Sequence, residues 1–201
     1  MSSRHTLVPL AIAGVFMTAC SPAPGAAPAA TTVLAAATPT GTPSVMTDLL
    51  RDVSDVEKKM VDLARAIPPA KYGYRPSAGV RSVGEVVMHV AGDNYFMPAA
   101  VGTAAPASTG IAGDSYETVE KYEKRAMTPD SAVAQLVASF AFLKEVMQAQ
   151  TAASLTESKK MFGSESTGQQ TWIGATTHLH EHLGQMIAYA RANNIVPPWS
   201  K

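Results

Sequence analysis

Leu49, Val53, Val56, Met60, Leu63 and Ile67 recur at alternating steps of four and three along one stretch of the chain. That spacing lines a single face of an α-helix, whereas on a strand it would scatter over both faces. Asp48, Arg51, Asp52, Asp55, Lys58 and Lys59 cover much of the other side, as expected of a helix half immersed in water. Pro68-Pro69 then removes the amide hydrogens that a further turn would need, and predicts the end of the helix.

Three more segments obey the same rule. Ser82-Val83-Gly84-Glu85 has the form of a capping box, in which serine and glutamate satisfy each other's free end amides. The second helix that it opens carries Val83, Val86, Val87, Val90 and Met97, and extends to Val101 if it continues past Pro98. Thr128-Pro129-Asp130 places proline at the first position of a third helix, whose apolar face is Val133, Leu136, Val137, Phe140, Leu143 and Met147. A polar loop follows from Ser154 through Gly163. Thr167-Gly168-Gln169-Gln170 is a second capping box and opens a fourth helix that runs to Asn193-Asn194, with Pro197-Pro198 beyond it. The sequence holds no strand-like alternation of useful length and no internal repeat.

Four amphipathic helices have only one another to bury their faces against, which predicts an all-α four-helix bundle. Abundant alanine and sparse aromatics suit helices packed through small and aliphatic side chains. Roughly two dozen residues separate the second and third helices. They comprise a small-residue stretch from Gly102 to Gly113 and a charged segment from Tyr116 to Arg125, the latter long enough for one or two helical turns. Such a connection permits a crossover along the bundle, and predicts that the two helices it joins run parallel.

Ahead of the bundle the chain changes character. Arg4 and His5 precede an apolar run from Leu7 to Met17, followed by Thr18-Ala19-Cys20. A charged start, a short apolar core and small residues at the junction describe a secretory signal, and the run is too short to span a bilayer. Met17-Thr18-Ala19-Cys20 resembles a bacterial lipobox, with Met17 standing where leucine is usual. On that reading residues 1–20 are a signal peptide with its lipobox, Cys20 is lipidated, and the exported protein is anchored to the membrane of the cell envelope. Cleavage near Ala26-Ala27 or Ala29-Ala30 would instead discard Cys20 and leave a periplasmic or secreted protein. Cys20 is the single cysteine, so an internal disulfide framework is excluded. Residues 21–45, nearly all Ala, Pro, Thr and Gly, read as a disordered tether to a folded domain at 46–201. Lysine plus arginine equals aspartate plus glutamate at 16 each, so no net field draws the chain to nucleic acid.

Of the five histidines, His5 falls in the signal, His89 on the second predicted helix, and His178, His180 and His182 on the fourth. His178 and His182 are one turn apart, so both rings leave one helix face within reach of a single ion. His180, about 200° around the helix from His178, points elsewhere. The line His178, His182, Gln185 and Tyr189 is displaced by about 60° from the apolar stripe Trp172, Ala175, Leu179, Met186, Ile187 and Ala190. His89 is displaced in the same sense from Val86 and Val90, in line with Glu85, Asp93 and Phe96. Rings at the border of a core can turn inward while their second nitrogen finds a polar partner. Three histidines so arranged offer an open, catalytic type of metal site, since a closed structural site needs a fourth protein ligand. A lone i,i+4 histidine pair also occurs harmlessly on helix surfaces.

Arg75-Pro76, Val80-Arg81-Ser82-Val83-Gly84-Glu85-Val86 and His89, then His178-x-x-x-His182-x-x-Gln185 and Tyr189-x-Arg191, together resemble the DinB-like family. The closing Ile195-Val196-Pro197-Pro198-Trp199 is similar as well, so the resemblance covers nearly the whole domain. It implies a bundle with up-down-down-up connectivity and a divalent metal ion held by His89, His178 and His182, with water completing the shell. Zinc or nickel is the usual metal in such proteins, and iron also suits imidazole. His180 matches no ligand of the family. Some relatives are thiol-dependent transferases or isomerases, but export would separate this chain from cytosolic thiols, which disfavours that chemistry here.

The expected function is a metal-dependent hydrolase or transferase acting on a small molecule. The alternative is a non-catalytic metal-binding or interaction module of the cell envelope, and a homodimer is compatible with either. Three catalytic candidates stand out. Glu85 is either a base beside coordinated water or a capping residue only. Gln185 and Tyr189 either touch water and substrate or simply bond along the bundle edge. Asp93 and Asn94 either orient ligands or face solvent, and Arg81 is expected at the helix entrance with no catalytic part.

Overall fold

The computed structural model describes residues 41–161 and 163–200. The signal, Cys20 and all but the end of the tether lie outside these residues. The first helix, α1 (Ser44–Ala66), begins just ahead of the expected domain start and buries Met46, Val53, Val56, Met60 and Leu63. Ile67 already has the extended backbone that a following proline imposes, and the helix stops there.

The loop behind α1 docks on the start of α2 (Val83–Ala100). Carbonyls of Tyr74 and Tyr72 accept from the amides of Val83 and Gly84 at 3.0 and 2.9 Å. The Ser82–Glu85 capping box forms as the sequence predicts, so the free amides of the first turn of α2 are partnered. This helix is buried on nearly every side, including Met88, Ala91 and Tyr95 outside the predicted stripe. The extra cover comes from α3 (Glu117–Glu123), a short helix in the long connection. Its Val119 and Tyr122 lie over Gly92 of α2, where a Cβ would stand 3.0 Å from Val119. The approach is tighter still at Gly113, where a Cβ would meet the Ala99 carbonyl oxygen at 2.2 Å. Only glycine lets the chain pass the end of α2 this closely.

The chain continues through α4 (Pro129–Gln148), capped by Thr128 with Pro129 at its first position, and the short α5 (Ala152–Thr156). An antiparallel hairpin follows, β1 (Ser158–Met161) with β2 (Ser164–Thr167). The Thr167–Gln170 capping box then opens α6 (Gly168–Ala192). The hairpin corrects the expectation of a plain loop: its pairs Lys159–Ser166 and Lys160–Glu165 are polar, so no apolar alternation marks it in the sequence.

Helix directions follow from the residues that meet. Thr42, before α1, donates to the Gln148 carbonyl at the end of α4 at 3.0 Å, so these helices are antiparallel. Ser82 and Glu85 share a recess with Met127 and Ala132, and farther along Asn94 donates to Ser139 at 3.0 Å. Helices α2 and α4 are therefore parallel. Tyr189, near the end of α6, reaches Arg81, just before α2, at 3.1 Å, so α2 and α6 are antiparallel. The result is an up-down-down-up bundle closed by the crossover that carries α3. Trp172, Phe140, Met60, Leu136 and Met186 fill its centre. Among the described residues no helix is long and apolar enough to cross a membrane.

Candidate metal centre

His89 sits midway along α2, only 4% exposed, because α3 and α6 close over it. His178 and His182 face it from α6. The Nε2 atoms of His178 and His89 are 3.3 Å apart, and those of His182 and His178 are 3.0 Å apart. All three rings offer a nitrogen within 4.8 Å of the others, a group that could hold a metal ion. His180 lies elsewhere, with its Nε2 2.8 Å from Asp52 of α1 at the surface.

The outer nitrogens decide what the inner ones can do. Tyr189 has a single hydroxyl hydrogen, and the Arg81 carbonyl it contacts at 3.1 Å can only accept. The Gln185 amide must therefore donate to Tyr189, at 2.9 Å, which turns its oxygen toward His182 Nδ1 at 2.8 Å. That nitrogen carries the hydrogen, and His182 Nε2 presents a lone pair. Burial first, and the neighbouring His178 and His89 next, push His182 down to about 4, so the ring is neutral at physiological pH.

His89 is fixed in the same way by a different route. Its Nδ1 contacts Glu123 Oε1 from α3, and Arg81 grips that carboxylate with Nε and a terminal nitrogen, both at 3.1 Å. Burial alone would raise the Glu123 pKa, but the hydrogen bonds from His89 and Arg81 outweigh it and hold it below the usual range. An ionised carboxylate can only accept, so His89 Nδ1 donates, and in the neutral ring Nε2 is again a lone pair. His178 Nε2 lies within 3.0–3.3 Å of both and can carry at most one hydrogen. Converging lone pairs with too few hydrogens between them repel unless a cation sits among them. The donor set thus fits a divalent ion.

The remaining candidate residues divide between this centre and other parts of the bundle. Gln185 and Tyr189 join it through His182. Glu85 does not line the histidine cavity: it accepts from the Ser82 amide and pairs with Arg75 at 3.0 Å, and the Ser82 bond is the main reason its pKa is lowered. Asn94 turns to α4, whereas Asp93 turns in, its Oδ2 3.0 Å from His178 Nε2. Arg81 is at the helix entrance as expected, but it also anchors both outer chains. Glu123 was not foreseen, since nothing in its charged segment signals which acid will face a histidine on another helix.

A cavity of about 730 Å³ adjoins the centre, lined by His89, Asp93 and His178 with Phe96, Met97 and, from the hairpin, Met161. The paired strands of the hairpin supply one of its walls through Met161, Ser164 and Ser166.

A family model described as the DinB superfamily matches residues 53–186. Among solved structures, a DinB-like protein from Bacillus cereus aligns over 76% of this chain and 95% of its own, with a TM-score of 0.61 at 14% identity. A second, from Bacillus subtilis, aligns over 74% and 93%, with a TM-score of 0.58 at 15% identity. At such identities the likeness is one of fold. No curated protein sequence matches the chain.

Proposed function

The chain belongs to the DinB superfamily, and from that premise we propose that it is a metal-dependent hydrolase or transferase. It binds one divalent ion through His89, His178 and His182 and takes a small molecule into the cavity beside them. The observation that supports this reading is the convergence of three ring nitrogens, two of them with the opposite nitrogen already engaged. When bound, the ion supplies electrophilic polarisation and makes a coordinated water more acidic.

The chain's own residues do the rest. His182, kept neutral by its surroundings, binds without first losing a proton. Glu123 and Gln185 fix ring orientation, and the carboxylate also makes His89 a stronger donor. Phe96, Met97 and Met161 give the cavity apolar walls, while Ser164 and Ser166 add hydroxyl groups for orienting a ligand. An imidazole set suits zinc and nickel, with iron next.

Protein purified without chelator is expected to carry about one equivalent of ion by elemental analysis. His182→Ala should lose that ion together with turnover on a panel of esters, amides and phosphoesters. A wild-type protein that takes up no zinc, nickel or iron on reconstitution would end this reading. The proposal extends to place: Cys20 tethers the domain to the envelope, so labelled palmitate should enter the wild type and be absent from Cys20→Ser.

A further inference from the structure

Resting on that reading, we infer that Asp93 is a fourth protein donor, so that the ion is held by three imidazoles and one carboxylate. Asp93 follows His89 by one helical turn, which puts both side chains on the same face of α2. Its side chain is only 10% exposed. Oδ2 lies 3.0 Å from His178 Nε2 and 3.4 Å from His89 Nε2, with the Tyr116 hydroxyl donating at 3.4 Å. Oδ1 is buried and has no hydrogen-bond partner.

A carboxylate in such a place needs a positive counterpart. A neutral His89 has its one hydrogen on Nδ1, toward Glu123, and leaves Nε2 without one. His178 has at most one, with three acceptors around it: two Nε2 atoms and Asp93. Glu123 makes the contrast, since both of its oxygens are held by Arg81 and it needs nothing more. The contacts of Asp93 at 3.0 and 3.4 Å run to His178 and His89, the two histidines that line the cavity.

Asp93 also stands where the centre meets the cavity, which His182 does not line. Four protein donors fill a tetrahedral ion. A molecule arriving through the cavity therefore needs an ion that accepts five or six ligands, which favours nickel or iron over four-coordinate zinc.

Cobalt(II) is the probe. Wild type, Asp93→Asn and Asp93→Ala are titrated with it in competition with a chromophoric chelator, and their visible spectra are recorded. Both variants are expected to bind at least ~100-fold more weakly, the upper limit for loss of an outer partner, with a changed ligand-field spectrum. Melting of the metal-free proteins keeps the test fair: Asp93→Asn should melt higher than wild type without metal and gain less on adding it. Wild-type spectra and affinity within ~10-fold in both variants would overturn the fourth donor and leave the three-histidine site standing. A wild type that binds no cobalt, zinc or nickel would overturn both.

Discussion

Two recesses of nearly equal volume lie on this bundle, about 710 Å³ between α1 and α4 and about 730 Å³ beside α2, α6 and the hairpin. The first is walled by Ala64, Val133, Ala134, Ala138 and Ala141, with Arg65 and Asp130 as its charges. Its Tyr72 hydroxyl is already committed to the Ala64 carbonyl at 2.7 Å. The second holds His89, Asp93 and His178. Size does not separate the two. What does is that acceptors converge at the edge of one, two of the rings with a hydrogen held on the far side, whereas the side chains around the other do not converge.

The comparison breaks most easily at His182. Replacing it with alanine should weaken metal binding by ~100-fold or more, since a ligand loss exceeds the ~10–100-fold that outer partners cost; isothermal titration reads this directly. Glu123→Gln keeps the shape but frees the hydrogen on His89 to sit on either nitrogen, and a loss of ~10–100-fold is expected. Should Glu123→Gln bind like wild type, α3 would be a cover and no part of the centre. Tyr189→Phe removes one hydrogen bond at the far end of the chain that orients His182. About 1 kcal/mol, or about fivefold in affinity, is the expected cost.

Acid sharpens the same contrast in the metal-free protein. His182 titrates near 4 when folded, against an ordinary value of 6.5. Between those values the unfolded chain binds more protons than the folded one, so stability falls as the pH drops through that window. Melting temperatures from pH 7 to pH 4 should decline less steeply in His182→Gln. A matched slope would mean that the ring is not held neutral. The smallest effect is reserved for the other recess: Ala138→Leu, which partly fills it, should leave metal affinity unchanged within error.

Much of this was legible in the sequence because it depends on local spacing. The capping boxes at Ser82 and Thr167 and the proline at 129 set helix starts through residues a few positions apart. The placing of His89, His178 and His182 at the border of apolar stripes was visible for the same reason. Glu123 was not, because its role depends on how the chain from 101 to 128 crosses the bundle. That path is set by Gly113 against the Ala99 carbonyl and by Val119 over Gly92. Close approaches at single glycines leave no periodic trace. The hairpin escaped because its strands are short and polar, and Met88 and Tyr95 escaped because a helix covered on all sides has no single stripe.

Arg81 acts twice, and its two actions answer differently to genetic change. The guanidinium that grips Glu123 is erased by almost any replacement, but the carbonyl that receives the Tyr189 hydroxyl belongs to the main chain and survives them all. A saturation library at this codon would thus report on one histidine only and undercount the position. Shortening the 75–80 turn, which would shift the whole residue, is the edit that reaches both rings at once.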